Sequence, residues 1–161
     1  MNLNKPEVYL DLEETVIDNW YSGNPKHDNI SRIVNLLKTS QTTHVGIFSA
    51  AIYNEADLNY FDKHYKDYIQ NMLGVLIVDV VSMDRVLQEI NGDTCMVHPR
   101  FENTVDAMST LGKDNLFIEW CKVTKSGKIT VLIDDSFGDV SYWKASKGIE
   151  TEVHIIDVAE L

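Results

Sequence analysis

The segment VYLDLEETVI at residues 8–17 is an apolar strand that runs directly into a group of carboxylates. A buried strand has no structural need of acids at its end, so a cation or a reaction is expected there. Two later segments repeat the pattern: His44–Phe48 ends at Ser49, and Ile129–Ile133 ends at the pair Asp134-Asp135. The carboxyl ends of parallel strands lie along one edge of a sheet. The sequence therefore predicts a parallel α/β sheet that gathers these polar side chains into one site.

Length and composition are those of one globular domain. The chain has 161 residues, of which 44% are hydrophobic and 24% are charged, and it contains no low-complexity tract and no internal repeat. A chain of this length buries well over half of its unfolded surface when it folds. We therefore expect a single domain over residues 1–161.

The charge balance restricts the classes of ligand. The formal net charge is −11, from 25 acidic and 14 basic residues. This sign repels a phosphate backbone, so binding of nucleic acid as the main role is not expected. It also disfavours a free phosphorylated substrate unless a local cation reverses the field. The sequence shows no export signal and no membrane-spanning segment, which predicts a cytoplasmic protein without membrane contact.

Helical and strand patterns alternate along the chain. Helices are predicted near residues 30–40, 54–72, 83–90, 103–111, 115–123 and 140–147, and further strands at 44–48, 75–81, 94–97, 129–133 and 151–156. The strand at 75–81 is expected to be buried on both faces because it is rich in β-branched residues. Such alternation implies right-handed crossovers and one open, mostly parallel sheet with helices on both faces.

Acids and a hydroxyl at neighbouring strand ends are the groups that phosphoryl transfer uses. A strand-end Asp can attack phosphorus and form an aspartyl phosphate that water later hydrolyses. Mg²⁺, which prefers carboxylate and carbonyl oxygens, neutralises the phosphoryl oxygens in such sites. A nearby hydroxyl binds a phosphoryl oxygen, and a lysine balances the remaining charge. An acid two residues after the nucleophile points to the same side and can protonate the leaving oxygen.

The order of these residues resembles the four motifs of the haloacid dehalogenase-like (HAD) superfamily of phosphotransferases. The DLEET segment at residues 11–15 is similar to the Asp-x-Asp-x-Thr of the first motif, except at its third position. Ser49 follows a strand as in the second motif, and Lys113, which precedes a helix, matches the third. The Asp134-Asp135 pair, with Asp139 close behind, matches the acidic fourth motif. The resemblance spans residues 7 to about 140.

This resemblance implies a three-layer Rossmann-like (HAD-like) domain and an Mg²⁺-dependent phosphatase. The implied catalytic residues are Asp11, Glu13, Ser49 and Lys113, and the implied metal ligands are Asp11, Glu13, Asp134, Asp135 and Asp139. In this scheme Asp11 is the nucleophile. Glu13 is the general acid and base, and its backbone carbonyl binds the metal.

The remaining implied roles concern the phosphoryl group and the cation. Ser49 would bind the phosphoryl group and Lys113 would balance its charge. Asp135 would be the more direct metal ligand of the acidic pair. The segments between the motifs are too short for a large cap domain, so the site is expected to be open. An open site suits a phosphate on a macromolecule, such as a phosphoprotein or the end of a nucleotide or nucleic acid.

Glu13 stands where the superfamily has Asp, and this leaves two functions open. Glu is one methylene longer, and displacing a proton donor by about an ångström costs on the order of a hundredfold in rate. The first function is a phosphatase of modest rate. The alternative is a HAD-like binding or regulatory protein with weakened catalysis, for example a phage-encoded modulator of a host protein, whose acidic surface would suit a basic partner.

Overall fold

A computed structural model describes residues 6–92, 101–135, 140–146 and 149–161. Strands and helices alternate over most of this length, as the sequence patterns predict. The elements are β1 (Glu7–Leu10), α1 (His27–Thr39), β2 (His44–Phe48), α2 (Glu55–His64), α3 (Lys66–Leu73), β3 (Leu76–Val81), α4 (Met83–Asn91), α5 (Thr104–Thr124), β4 (Ile129–Asp134), β5 (Val140–Ser146), β6 (Ile149–Asp157) and a 3₁₀ turn (Val158–Glu160).

The strands form one sheet in the order β3-β2-β1-β4-β6-β5. The first five are mutually parallel, and β5 is antiparallel to β6 at the edge. This confirms the predicted α/β fold with a mostly parallel central sheet. The chain moves outward from β1 through β2 to β3 and then returns to the other side of β1 with β4. Such a reversal opens a crevice at the carboxyl ends of the two strands, here β1 and β4.

Two apolar clusters lie on opposite faces of the sheet, because successive side chains of a strand alternate between faces. Val8 and Leu10 of β1 pack with helices α1 to α3, whereas Tyr9 packs with α4 and α5. The layers are thus helix, sheet and helix, in a Rossmann-like arrangement. No helix in the described part of the chain is long and apolar enough to cross a membrane.

Helix boundaries agree with local capping chemistry. The Asn54 side chain accepts a hydrogen bond from the backbone N–H of Asp57 at the start of α2, and Ser82 caps α4 in the same way. Gly74 ends α3 in the left-handed conformation with φ of 69°, which glycine adopts without steric cost. The predicted helix over residues 54–72 is divided at Tyr65 into α2 and α3.

Two predictions about the outer strands are wrong. Residues 140–147 were predicted to be helical, but Val140–Ser146 is a strand that pairs along its whole length with β6. Antiparallel pairing suits its β-branched and aromatic residues and overrides the weaker helical pattern. Strand β3 is not buried on both faces: it lies at the sheet edge, with Leu76 and Val78 exposed by 55% and 61%. The strand predicted at 94–97 lies outside the described residues.

Candidate functional site

Three carboxylates meet at the carboxyl ends of β1 and β4. Leu10 is paired with Ile133, and the Asp11 N–H continues the ladder by donating to the Ile133 carbonyl at 2.9 Å. Asp11 and Asp134 therefore follow adjacent positions of neighbouring strands. One carboxylate oxygen from each of Asp11, Asp134 and Asp135 lies within 4.8 Å of the other two. We call these three residues, together with Lys113, the acidic site.

Lys113 bridges two of these acids. Its Nζ lies 3.0 Å from Oδ2 of Asp11 and 2.8 Å from Oδ1 of Asp134. All three side chains are largely buried, with exposed fractions of 16%, 4% and 2% in that order. Gly112 interrupts α5 with a φ of 76° and a ψ of 165°, so Lys113 begins a second helical segment. The predicted separation of two helices at this glycine is confirmed as a kink within α5.

The carboxylates and the lysine shift one another's pKa values. Burial, reinforced by the charge of Asp134, outweighs the attraction of Lys113 and raises the pKa of Asp11 to about 7. Burial also opposes ionisation of Asp134, but a hydrogen bond with Asp114 and the Lys113 charge hold the pKa of Asp134 well below its ordinary value. The two carboxylates outweigh burial at the lysine and raise the pKa of Lys113 to about 12. Lys113 is therefore a permanent cation at neutral pH.

Asp114 is a fourth acid at the site that the sequence analysis missed. Burial and a hydrogen bond with Asp134 raise the pKa of Asp114 to about 7. Asp135, whose N–H donates to Asp134 Oδ1 at 2.7 Å, has its pKa raised to about 6 by burial and by Asp134. The only sequence signal for Asp114 was its position next to Lys113. Among the described residues, the acids at this end of the sheet thus outnumber the lysine, Lys113, which contacts Asp11 and Asp134.

The donor set fits a divalent cation. Its members supply hard carboxylate oxygens close enough to share one ion, and two of them, Asp11 and Asp134, are buried. Hard cations such as Mg²⁺ and Ca²⁺ prefer oxygen ligands of this type. Added positive charge would also oppose the burial and the repulsion from Asp134 that together raise the pKa values of Asp11 and Asp135.

The turn after β1 holds Asp11 in position. The Leu12 carbonyl accepts backbone hydrogen bonds from Thr15, Val16 and Ile17, and Glu14 adopts a φ of 60° within the turn. This turn brings the fully buried Thr15 back to Asp11, where its hydroxyl donates to Oδ2 at 3.2 Å. Oδ2 therefore receives both Thr15 and Lys113, which fixes the orientation of the carboxylate.

The Glu13 carboxylate is hydrogen-bonded to the loop that carries Trp20. Its Oε2 accepts a hydrogen bond from the Trp20 backbone N–H at 2.9 Å, and the carboxylates that lie within 4.8 Å of one another in the described chain do not include it. Ser49 lies at the same sheet edge, at the end of β2, and is 1% exposed. Its Oγ accepts from the Ala51 N–H at 3.2 Å. Asp139, the remaining predicted metal ligand, lies outside the described residues.

A cavity of about 410 Å³ lies elsewhere, beside the amino-terminal halves of β1 and β2. Its lining includes Glu7, Tyr9, Gly46, Asp79 and Lys125, and none of the acidic site. We call this the cavity region. The candidate site is therefore chosen by the chemistry of its residues, and this cavity is a separate part of the molecule.

No protein-family model, curated protein or solved structure matches this chain. A function is therefore inferred from the carboxylates and the lysine that lie at the carboxyl ends of β1 and β4.

Proposed function

We propose that this chain is a metal-dependent phosphohydrolase of the HAD-like type, which hydrolyses a phosphomonoester through an aspartyl phosphate on Asp11. The observation that carries the proposal is the buried Asp11, held by Lys113 at 3.0 Å and sharing its surroundings with Asp134 and Asp135. It lies at the strand reversal where ligands bind in open α/β sheets.

The proposed cation is Mg²⁺, and Asp11, Asp134 and Asp135 would hold it, with the backbone carbonyl of Glu13 as the resemblance implies. When bound, Mg²⁺ supplies positive charge that offsets the negative phosphoryl oxygens. This role is consistent with the excess of acids over lysine at the site, which an anionic substrate could not approach without it.

The residues of the chain supply the rest of the reaction. An Asp11 oxygen attacks phosphorus while the bond from phosphorus to the ester oxygen breaks, and the leaving oxygen takes a proton from the Glu13 carboxyl group. Water then attacks the aspartyl phosphate and gives its proton to the Glu13 carboxylate, which releases phosphate and restores Asp11. Lys113 balances charge, and the Ser49 hydroxyl binds a phosphoryl oxygen.

The position of Glu13 favours a second candidate function. The Glu13 Oε2 accepts the Trp20 backbone N–H at 2.9 Å, and Glu is one methylene longer than the Asp of the first motif. An acidic site combined with a longer acid at position 13 that is hydrogen-bonded to the Trp20 N–H suits a HAD-like binding or regulatory protein of low turnover. The two candidates differ in whether restoring the shorter Asp at position 13 is needed for activity.

Hydrolysis of p-nitrophenyl phosphate, with Mg²⁺ or with EDTA, tests the proposal. We expect metal-dependent turnover in the native protein that Asp11→Asn lowers by at least about 10³-fold, as removal of a nucleophile does. Asp79→Asn, a matched change in the cavity region, should retain the activity of the native protein.

The outcomes separate the two functions. Turnover that appears only with Glu13→Asp would indicate a silenced enzyme and favour the binding function. Absence of turnover in the native protein and in Glu13→Asp, or turnover that survives Asp11→Asn, would contradict the phosphatase proposal.

A further inference from the structure

An aromatic surface lies on the loop that follows the turn after β1 and on the helices beside it. It consists of Trp20, Tyr21, Tyr60 and Tyr68, together with the buried Tyr65 that packs against Trp20 and Tyr60. Tyr21 is 91% exposed, and Tyr60 and Tyr68 are exposed by 39% and 36%. An aromatic ring as exposed as Tyr21 contributes little to the core, so its position is not explained by folding.

Three of the rings, those of Trp20, Tyr60 and Tyr65, contact one another. The Trp20 ring lies 5.2 Å from the rings of both Tyr60 and Tyr65, measured between centroids. Tyr60 also contacts His64 at 4.4 Å. Aromatic residues that are grouped and partly exposed are the side chains that contribute most to protein interfaces.

The loop that carries Trp20 and Tyr21 is held rigidly. The Asp18 carboxylate accepts hydrogen bonds from Ser22 and Asn24, and the Asn19 side chain accepts the Tyr21 N–H at 3.0 Å. The loop is also fixed to the helices, since the Tyr65 hydroxyl donates to the Trp20 carbonyl.

A second hydroxyl, that of Tyr68, donates to the Gly23 carbonyl at 3.3 Å. The surface is therefore formed before any ligand arrives, and binding to it requires little ordering of the loop.

The charge of the residues around the aromatic surface determines whether a ligand that binds there is positive or negative. The two segments that carry the surface, residues 13–28 and 55–68, contain eight acidic residues and three lysines. The net charge of the whole chain has the same sign. Such a field repels nucleotides, although their bases also stack on aromatic rings. It attracts guanidinium and ammonium groups, which bind to the faces of Tyr and Trp.

We propose that the aromatic surface binds an arginine- or lysine-bearing segment of another protein. The aromatic rings supply the contact area, and the acidic surroundings supply the charge complementarity. This interaction goes beyond the proposed hydrolysis and does not depend on turnover at Asp11.

The test uses a fluorescein-labelled peptide, Gly-Arg-Gly-Arg-Gly-Arg-Gly, and its counterpart with Glu in place of Arg, with binding measured by fluorescence anisotropy at low ionic strength. We expect the full chain to bind the arginine peptide more tightly than the glutamate peptide, with an affinity that falls as salt is added. Tyr21→Ser should weaken binding by about two- to fivefold, the range of one exposed cation–π contact.

The matched control is Val105→Ser, which removes a side chain of α5 that is 65% exposed and lies outside the surface. It should leave the affinity unchanged. Tyr60→Leu, whose fold is checked by circular dichroism, should weaken binding as Tyr21→Ser does.

Three results would overturn the proposal. The first is that the folded native chain does not bind the arginine peptide, or binds both peptides equally. The second is that Tyr21→Ser and Tyr60→Leu bind as well as Val105→Ser. The third is that AMP displaces the peptide and binds more tightly, which would assign the surface to nucleobases.

Discussion

The acidic site and the cavity region differ in how completely their charges are matched. In the cavity region Glu7 lies 3.0 Å from Lys128 and 2.8 Å from Lys125. Asp79 is similarly paired with Arg85 at 2.7 Å. Although burial opposes it, contact with the two lysines lowers the pKa of Glu7 below its ordinary value.

In the described part of the acidic site, by contrast, one lysine lies among several acids. Lys113 contacts Asp11 and Asp134, and the pKa values of Asp11, Asp114 and Asp135 are all raised. Matched charges stabilise the fold and need no ligand. An excess of buried carboxylates is costly unless a cation is used there. Charge imbalance distinguishes the acidic site from the cavity region, and for this reason the acidic site is the candidate functional site.

Replacing one lysine in each region should give the largest difference in stability. At pH 8 in EDTA we expect Lys113→Gln to lower the free energy of unfolding by about 3 kcal/mol, since it leaves buried carboxylates without a cation. Lys128→Gln should lower it by less than about 1 kcal/mol, because this lysine is 55% exposed and Glu7 keeps Lys125. Urea unfolding followed by circular dichroism measures both. Equal losses would contradict the contrast between the regions.

Gly46→Ala should destabilise the cavity region and leave the acidic site unchanged. A Cβ at this position would lie 2.3 Å from the Tyr9 ring, which crosses β2 so that its hydroxyl reaches Asp79. The ring is buried, so we expect a loss of about 1–3 kcal/mol in the free energy of unfolding. Thermal unfolding gives the loss. Affinity for Mg²⁺ below the new melting temperature should be that of the native protein, and a parallel loss of metal binding would show that the regions are coupled.

Asp11→Asn should stabilise the metal-free protein in alkaline solution. Burial raises the pKa of Asp11 to about 7 in the fold, above its ordinary value of 3.8. The folded state therefore holds a proton that the unfolded state releases, and the free energy of unfolding falls as the pH rises between these two values. The uncharged Asn removes this loss, so at pH 8 it should gain about 1 kcal/mol or more.

The gain from Asp11→Asn should shrink towards pH 4, because the folded carboxyl is protonated there and about half of the unfolded carboxyl groups are protonated as well. Urea titrations in EDTA at the two pH values provide the measurement. Asp79→Asn should instead be less stable than the native protein, since Arg85 loses a partner. A gain at position 11 that does not depend on pH would mean that ionisation is not its cause.

The central part of the fold was predictable from local patterns. The apolar segments that end at Asp11, Ser49 and Asp134 have the composition of parallel strands, and polar residues at their ends lie at one edge. Strand β5 was not predictable, because its residues are also compatible with a helix until β6 lies beside them. The edge position of β3 depends on sheet order, which local sequence does not contain.

The candidate site was predictable in its residues more than in its contacts. Lys113 contacts Asp11 because the chain comes back to the end of β1 after Gly112. The two residues are far apart in the sequence, so no local sequence pattern predicts this contact. Asp114 was missed since a helical acid beside a lysine is common on solvated surfaces. The hydrogen bond from Trp20 to Glu13 depends on the fold of a loop seven residues away.

Isothermal titration calorimetry with Mg²⁺ tests most directly whether the unmatched carboxylates form a cation site. The native protein should bind Mg²⁺, Asp11→Asn should abolish or greatly weaken this binding, and Asp79→Asn should leave it intact. Absence of Mg²⁺ binding to the native protein, or binding that Asp11→Asn does not change, would contradict the account.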